Sequence, residues 1–213
     1  MYAEGIFDKL TPETHHNDHL PQEVFLLERM ADVDDFLASS KDLALGKVAF
    51  PANYDQLCKQ WIDANQELNV EVRQVSELDE HTCPLAKSLM TPFTHIWGRL
   101  EGAISSRKRL TIKVVRDQMC PLFHVDRVLA RFIVTVEGAG TQWLQEKDIN
   151  RQNLGKAGRK PIIKPNSYLQ QITLRQVAIL KGSRYNGSKG LVHRSPPVNP
   201  KDDPRLILRL DFK

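Results

Sequence analysis

Two short segments hold most of the chemistry this chain can offer: Cys120-Pro-Leu-Phe-His124-Val-Asp126, and Gly190-Leu-Val-His193-Arg-Ser195-Pro-Pro. In an extended segment successive side chains alternate faces, so His124 and Asp126, two apart, point to one side and can meet a single cation. A histidine from a distant strand, His193, can complete a set of two neutral imidazoles and one carboxylate. Such a set covers one face of an octahedron and leaves the other positions open, the arrangement non-haem Fe(II) sites use; zinc also accepts these ligands. With a single anionic ligand the metal keeps about one net positive charge, which invites a chelating anion such as a 2-oxo acid.

Other residues near these segments suit supporting roles. Arg131 is an anion anchor or an edge-strand charge. Ser195 could donate to a carboxylate, but no base or elbow makes it a nucleophile. Cys120 either lines the site, as a soft ligand if the metal is zinc, or is an inert buried thiol. Lys181, Arg184 and Lys189 surround the second segment and could face an acidic substrate. Trp143 and Phe123 are expected to pack rather than to stack on substrate. His15, His16 and His19 could catch a transition metal, although a solvated leader explains them more simply; His95 reads as structural.

The 213 residues, 41% hydrophobic and 26% charged, suit an ordinary globular protein. Three cysteines are too few and too scattered for a disulfide framework, which points to a reducing compartment and the cytoplasm. The first ten residues lack the apolar stretch of a signal peptide, and no run is long enough for a membrane span. Residues 1–80 carry 17 acids and 6 bases, and the rest carries 9 acids and 24 bases. This division suggests either a basic half that draws an anion, or two parts that lie together and partly neutralise. Arg151 to Lys164 is a basic stretch without an acid, a candidate lid or a solvated loop. Nucleic acid drawn to it is a third and weaker reading, and the chain shows no Walker loop or zinc-finger spacing.

The elements that must position these residues fall in two groups. Residues 1–22 read as a flexible leader and 23–213 as one domain, with 23–108 mainly helical and 109–213 mainly strands. Apolar spacing predicts a helix over 54–68 and a longer one over 84–104 kinked at Pro92. Period-two alternation then predicts strands at 110–115, 130–137, 170–180 and 205–212. Helices followed by strands indicate an α+β fold, a sandwich or barrel braced by the early helices. In the last strand Leu206, Leu208, Leu210 and Phe212 share the expected core face, leaving Arg205 and Arg209 on the other.

The His-x-Asp segment, the turn Gly138-Ala-Gly-Thr141-Gln-Trp143, His193 and the terminal strand follow one another in an order that resembles the 2-oxoglutarate/Fe(II)-dependent oxygenases, particularly the prolyl-hydroxylase-like branch. The likeness covers roughly 110–212. At finer grain CPLFHVD, the Gly-x-Gly-Thr-x-Trp turn and GLVHRSPP resemble the bacterial domain of unknown function 1826, a likeness that spans nearly the whole chain and brings no assigned reaction. The resemblance implies a double-stranded β-helix (jelly-roll or cupin-like) core, with His124, Asp126 and His193 as Fe(II) ligands. It also implies a basic residue on the last strand that pairs with the far carboxylate of 2-oxoglutarate. Arg205, at the strand entrance after Pro204, is preferred for this over Arg209, and its guanidinium fork suits a carboxylate. The alternative is a metal-binding protein without turnover that holds zinc or iron at the same three residues.

Overall fold

The computed structural model describes residues 21–64, 69–72, 84–155, 161–198 and 204–213. In chain order these form β1 (Val24–Leu27), α1 (Asp32–Ala38), β2 (Leu43–Gly46), α2 (Tyr54–Ala64), β3 (Asn69–Val72), α3 (Pro84–Met90), α4 (Thr94–Ala103), β4 (Lys108–Val115), β5 (Ala130–Glu137), β6 (Gln142–Trp143), β7 (Gln170–Gln171), β8 (Val177–Lys181), β9 (His193–Arg194) and β10 (Arg205–Phe212). The fold is α+β. Seven strands make one sheet in the order β1-β2-β8-β5-β10-β4-β3, and a small sheet runs β7-β6-β9. Only β1 and β2 pair in parallel among the described strands; every other ladder is antiparallel.

Three layers result. Helices cover one face of the large sheet, where Phe36, Tyr54, Trp61, Phe93 and Trp97 meet Leu110, Phe132, Leu208 and Phe212. The Tyr54 hydroxyl stays paired inside this layer by donating to the Leu89 carbonyl at 2.8 Å. The small sheet covers the other face, with Val115, Ile133, Trp143, Ile172, Leu191 and Ile207 packed between the sheets. β10 is therefore buried on both sides: its even-numbered residues face the helices and its odd-numbered residues face the space between the sheets, where the site lies.

Several expectations change. The first part of the chain, mainly helical among its described residues, also supplies β1, β2 and β3, which extend the large sheet from both ends. VFLL and LALG show no alternation since β2 is buried on both faces, and such short apolar runs carry no period. The predicted kinked helix is two helices joined by a 3₁₀ turn at Thr91–Phe93, since Pro92 has no N–H to continue the ladder. The strand expected over 170–180 splits into β7 and β8 at Arg175, which is left-handed with φ 62°. The leader up to residue 20, its three histidines included, and residues 65–68 of the helix predicted over 54–68 lie outside the described residues.

Candidate metal centre

His124 and His193 face each other across an isolated antiparallel bridge, each backbone N–H donating to the other's carbonyl at 3.0 Å. β6 lies on the far side of β9, with Trp143 opposite His193. The approach is close because Gly190 has φ 74° and carries no Cβ; one added there would fall 2.3 Å from Val125 Cγ1. Arg151 fixes the segment leading into β9 by donating to the carbonyls of Lys189 and Gly190 at 3.1 and 2.8 Å. Behind the pair, Phe123, Leu144, Ile149 and Val192 form a small separate core to which Ile162 and Ile163 of the basic stretch add. This part of the stretch is thus a brace; residues 156–160 lie outside the described residues.

The rings are oriented by the backbone. Nδ1 of His124 lies 2.9 Å from the Leu122 carbonyl and Nδ1 of His193 lies 3.0 Å from the Leu191 carbonyl, so each Nδ1–H is donated and each Nε2 is turned into the site, a lone-pair donor to a metal when the ring is neutral and a hydrogen-bond donor to a carboxylate when it is protonated. Both Nε2 atoms turn toward Asp126, at 3.6 Å from Oδ1 for His124 and 3.1 Å from Oδ2 for His193. One ligand atom from each of the three residues fits within 4.8 Å of the others. Burial alone would raise the Asp126 carboxyl, but hydrogen bonds from His124 and His193 and the Arg131 charge outweigh it and hold the group ionised, well below the usual carboxylate range. The hydrogen bond to Asp126 raises His124 in turn, against its own burial.

His124, His193, Cys120, Arg131, Ser195 and Arg205 all line one narrow cavity of about 60 Å³, together with Thr111, Lys113, Met119, Thr141, Ile207 and Arg209. Arg131 is occupied by protein carboxylates: Nη1 lies 2.5 Å from Asp126 Oδ2 and Nε lies 2.6 Å from Asp211 Oδ1. Arg205 differs. It is 3% exposed, its Nε donates to the Ala139 carbonyl at 2.5 Å, and its buried Nη1 has no hydrogen-bond partner. Burial lowers the guanidinium to about 10, still charged at neutral pH. Its stem rests on Gly138, at φ 79°, where a Cβ would come within 2.7 Å of Arg205 Cγ. The Gly-x-Gly turn is thereby tied to the basic residue on the last strand.

The remaining candidates separate. Cys120 is exposed at the cavity and stands outside the metal-competent group. Lys181 is 3% exposed, donates to the Ser39 carbonyl at 2.6 Å and lies over the rings of Phe36 and Tyr185, so it is structural and cannot meet a substrate. Lys189 pairs with Glu146. Trp143 is buried between the sheets, and Phe123 lies under Arg194 with the guanidinium 4.5 Å from the ring centroid. Sequence reasoning missed Asp211 and Lys113. The signal for Asp211 was present, since Arg205, Ile207, Arg209 and Asp211 share one parity on β10.

A family model described as a protein of unknown function (DUF1826) matches residues 24–211. The chain belongs to the DUF1826 family. No curated protein matches it in sequence. Among solved structures, this DUF1826 chain is similar to a Shewanella oneidensis protein assigned as an oxygenase, at 11% identity and TM-score 0.50, covering 89% of this chain and 88% of that one. It is also similar to a prolyl-4-hydroxylase from Pseudomonas putida (12% identity, TM-score 0.46, 86% and 94% covered). HygX from Streptomyces hygroscopicus, solved with nickel and 2-oxoglutarate bound, follows at 7% identity and TM-score 0.49, with 83% and 85% covered. At 11% identity the likeness to the Shewanella protein concerns the fold alone. No helix among the described residues of the DUF1826 chain is long and apolar enough to cross a membrane.

Proposed function

We propose that this protein is a non-haem Fe(II) oxygenase that uses 2-oxoglutarate, built on a double-stranded β-helix. In this reading β4, β10, β5 and β8 form the major sheet. The His124 segment, β9, β6 and β7 form the minor one. The observation that carries the proposal is the buried, unpartnered Nη1 of Arg205 in the same cavity as His124 and His193. An unsatisfied buried guanidinium is costly, and a carboxylate is its natural complement.

The residues fit the metal and the co-substrate. Two Nε2 atoms with lone pairs and one ionised carboxylate are a donor set for Fe(II) that leaves positions open. His124, Asp126 and His193 would hold the metal, Arg205 would take the far carboxylate, and Ser195 lies on the cavity wall between them in sequence and beside His193. When bound, Fe(II) and 2-oxoglutarate supply dioxygen-driven oxidation of a substrate C–H bond, coupled to decarboxylation of the co-substrate to succinate. The chain's own contribution is to orient the ligands through Leu122 and Leu191, to keep Asp126 ionised through Arg131, and to keep water out between two packed sheets.

Anaerobic titration of the Fe(II)-loaded protein with 2-oxoglutarate tests this. A saturable visible charge-transfer band is expected, lost in His193→Ala and weakened in Arg205→Met while metal stays bound. Metal bound tightly with no band would overturn the oxygenase reading in favour of metal handling, whether the resident ion is iron or zinc.

A further inference from the structure

Resting on the oxygenase reading, the charge of the cavity bears on the substrate. Lys113, Arg131, Arg194, Arg205 and Arg209 line it, with no acidic side chain among the described lining residues. Two of the five are already engaged. Arg131 lies between Asp126 and Asp211, and Arg194 donates through Nε to Gln142 while stacking on Phe123. Arg205, Arg209 and Lys113 remain, and a single distal carboxylate can satisfy one of them.

The other two lie close by on the same wall. Ile207, between Arg205 and Arg209 on β10, is paired with Lys113 on β4, so Lys113 projects beside the gap between the two arginines. Arg209 Nε is buried without a hydrogen-bond acceptor; its nearest carboxylate oxygen, Asp211 Oδ2, is 3.4 Å away, and Nη2 only just reaches Thr111 Oγ1 at 3.5 Å. Lys113 is half-buried and has no hydrogen-bond or ion-pair partner among the described residues. A divalent ion and doubly charged 2-oxoglutarate cancel each other. Asp126 and Asp211 then offset two of the five lining cations, which leaves roughly three positive charges, Arg194 among them, without a carboxylate in a narrow cavity.

We propose that the substrate is a small polyanion whose carboxylate or phosphate groups are gripped by Arg209 and Lys113. The narrowness of the cavity favours a small molecule over a polymer, and cations held ready in a low-dielectric slot select anions strongly over neutral isosteres.

The test is calorimetric titration of the full chain, loaded with Mn(II) and saturated with 2-oxoglutarate, with tricarballylate and with methylphosphonate, each against its neutral methyl ester. Saturable binding of at least one anion and none of its ester is expected, with affinity falling about tenfold in Lys113→Met and in Arg209→Met. Affinity for 2-oxoglutarate should stay within about twofold in both variants. Lys113 is half-exposed on β4, so its variant keeps the test readable should Arg209→Met unfold. Binding of 2-oxoglutarate without binding of either anion would overturn this proposal alone. Loss of 2-oxoglutarate affinity in Arg209→Met but not in Arg205→Met would also overturn it, by assigning Arg209 to the co-substrate. Anion binding that depends on Lys113 and Arg209, in a protein that does not take 2-oxoglutarate, would support the anion site and sink the oxygenase reading instead. Salt-steep binding of single-stranded DNA that neither variant weakens would place anion recognition outside the cavity and overturn the proposal.

Discussion

Arg131 bridges two carboxylates that come from different elements, Asp126 before β5 and Asp211 on β10. Replacing it with Met leaves buried Asp126 to the two histidines alone and buried Asp211 to Arg209 at 3.4 Å. Arg131→Met is therefore expected to lower stability by about 3–5 kcal/mol. Metal affinity should fall roughly 10–100-fold, as it does when an outer partner of a ligand is lost. Arg131→Lys restores the charge without the fork, so it should recover stability more than metal affinity. Urea denaturation and competition with a metal chelator measure the two effects; an unchanged metal affinity in both variants would remove Arg131 from the centre. Gly138 supports the opposite end of the cavity. Gly138→Ala adds a methyl against Arg205 Cγ at a φ of 79°. Stability should fall by about 1–2 kcal/mol, and 2-oxoglutarate should bind several-fold more weakly, while metal affinity, set some distance along the cavity, stays as it is. Equal losses of both ligands would show a general collapse rather than displacement of Arg205.

Neighbouring residues on β10 should report on different layers. Leu208 points into the helix-covered core and Ile207 into the cavity side. Leu208→Ala should cost about 2–5 kcal/mol and leave 2-oxoglutarate affinity nearly unchanged. Ile207→Ala should alter both stability and affinity. Thermal melts and co-substrate titration of the two variants decide this, and identical ligand effects would contradict the three-layer arrangement. The same strand shows what the sequence could disclose. Alternation located β4, β5 and β10, and the His-x-Asp spacing with His193 predicted residues whose ligand atoms do converge. Parity also separated the arginines of β10 from its leucines. It could not show that a second sheet covers the arginine face, because burial of a polar face leaves no apolar period to read. β1 and β2 were hidden for the complementary reason: four-residue apolar runs have no period, and the place of β2 beside β8, with β1 joined on through β2, depends on a partner more than a hundred residues away in the chain.

Across the whole molecule, the acidic first part and the basic remainder meet through Asp34 with Arg99 and Asp55 with Arg175, so the two parts do partly neutralise each other. Beneath that surface the helix layer holds groups that resist ionisation. Burial pushes the Cys58 thiol up to about 12 and raises the Tyr54 phenol as well. Both groups are neutral in the fold and ionise more readily once unfolded. Their contribution is complete below the unfolded thiol value of about 8.5 and is lost as pH rises toward 12. Stability should therefore decline with a steepening slope above about pH 9, and Cys58→Ala should flatten part of that slope; an alkaline limb of unchanged steepness would contradict it. The register of β10 has a consequence for the order of events during synthesis. β4 and β5 are made first, yet they never pair with each other; the edge each turns toward the other is filled only by β10, which is made after both. Until residues 205–212 have been made, a nascent chain exposes two open strand edges and an apolar slot sized for one more strand. That is a template any extended peptide could occupy. Vectorial synthesis thus leaves the chain most prone to wrong pairing just before it is able to close, and a short peptide copying 205–212 should trap it in that state.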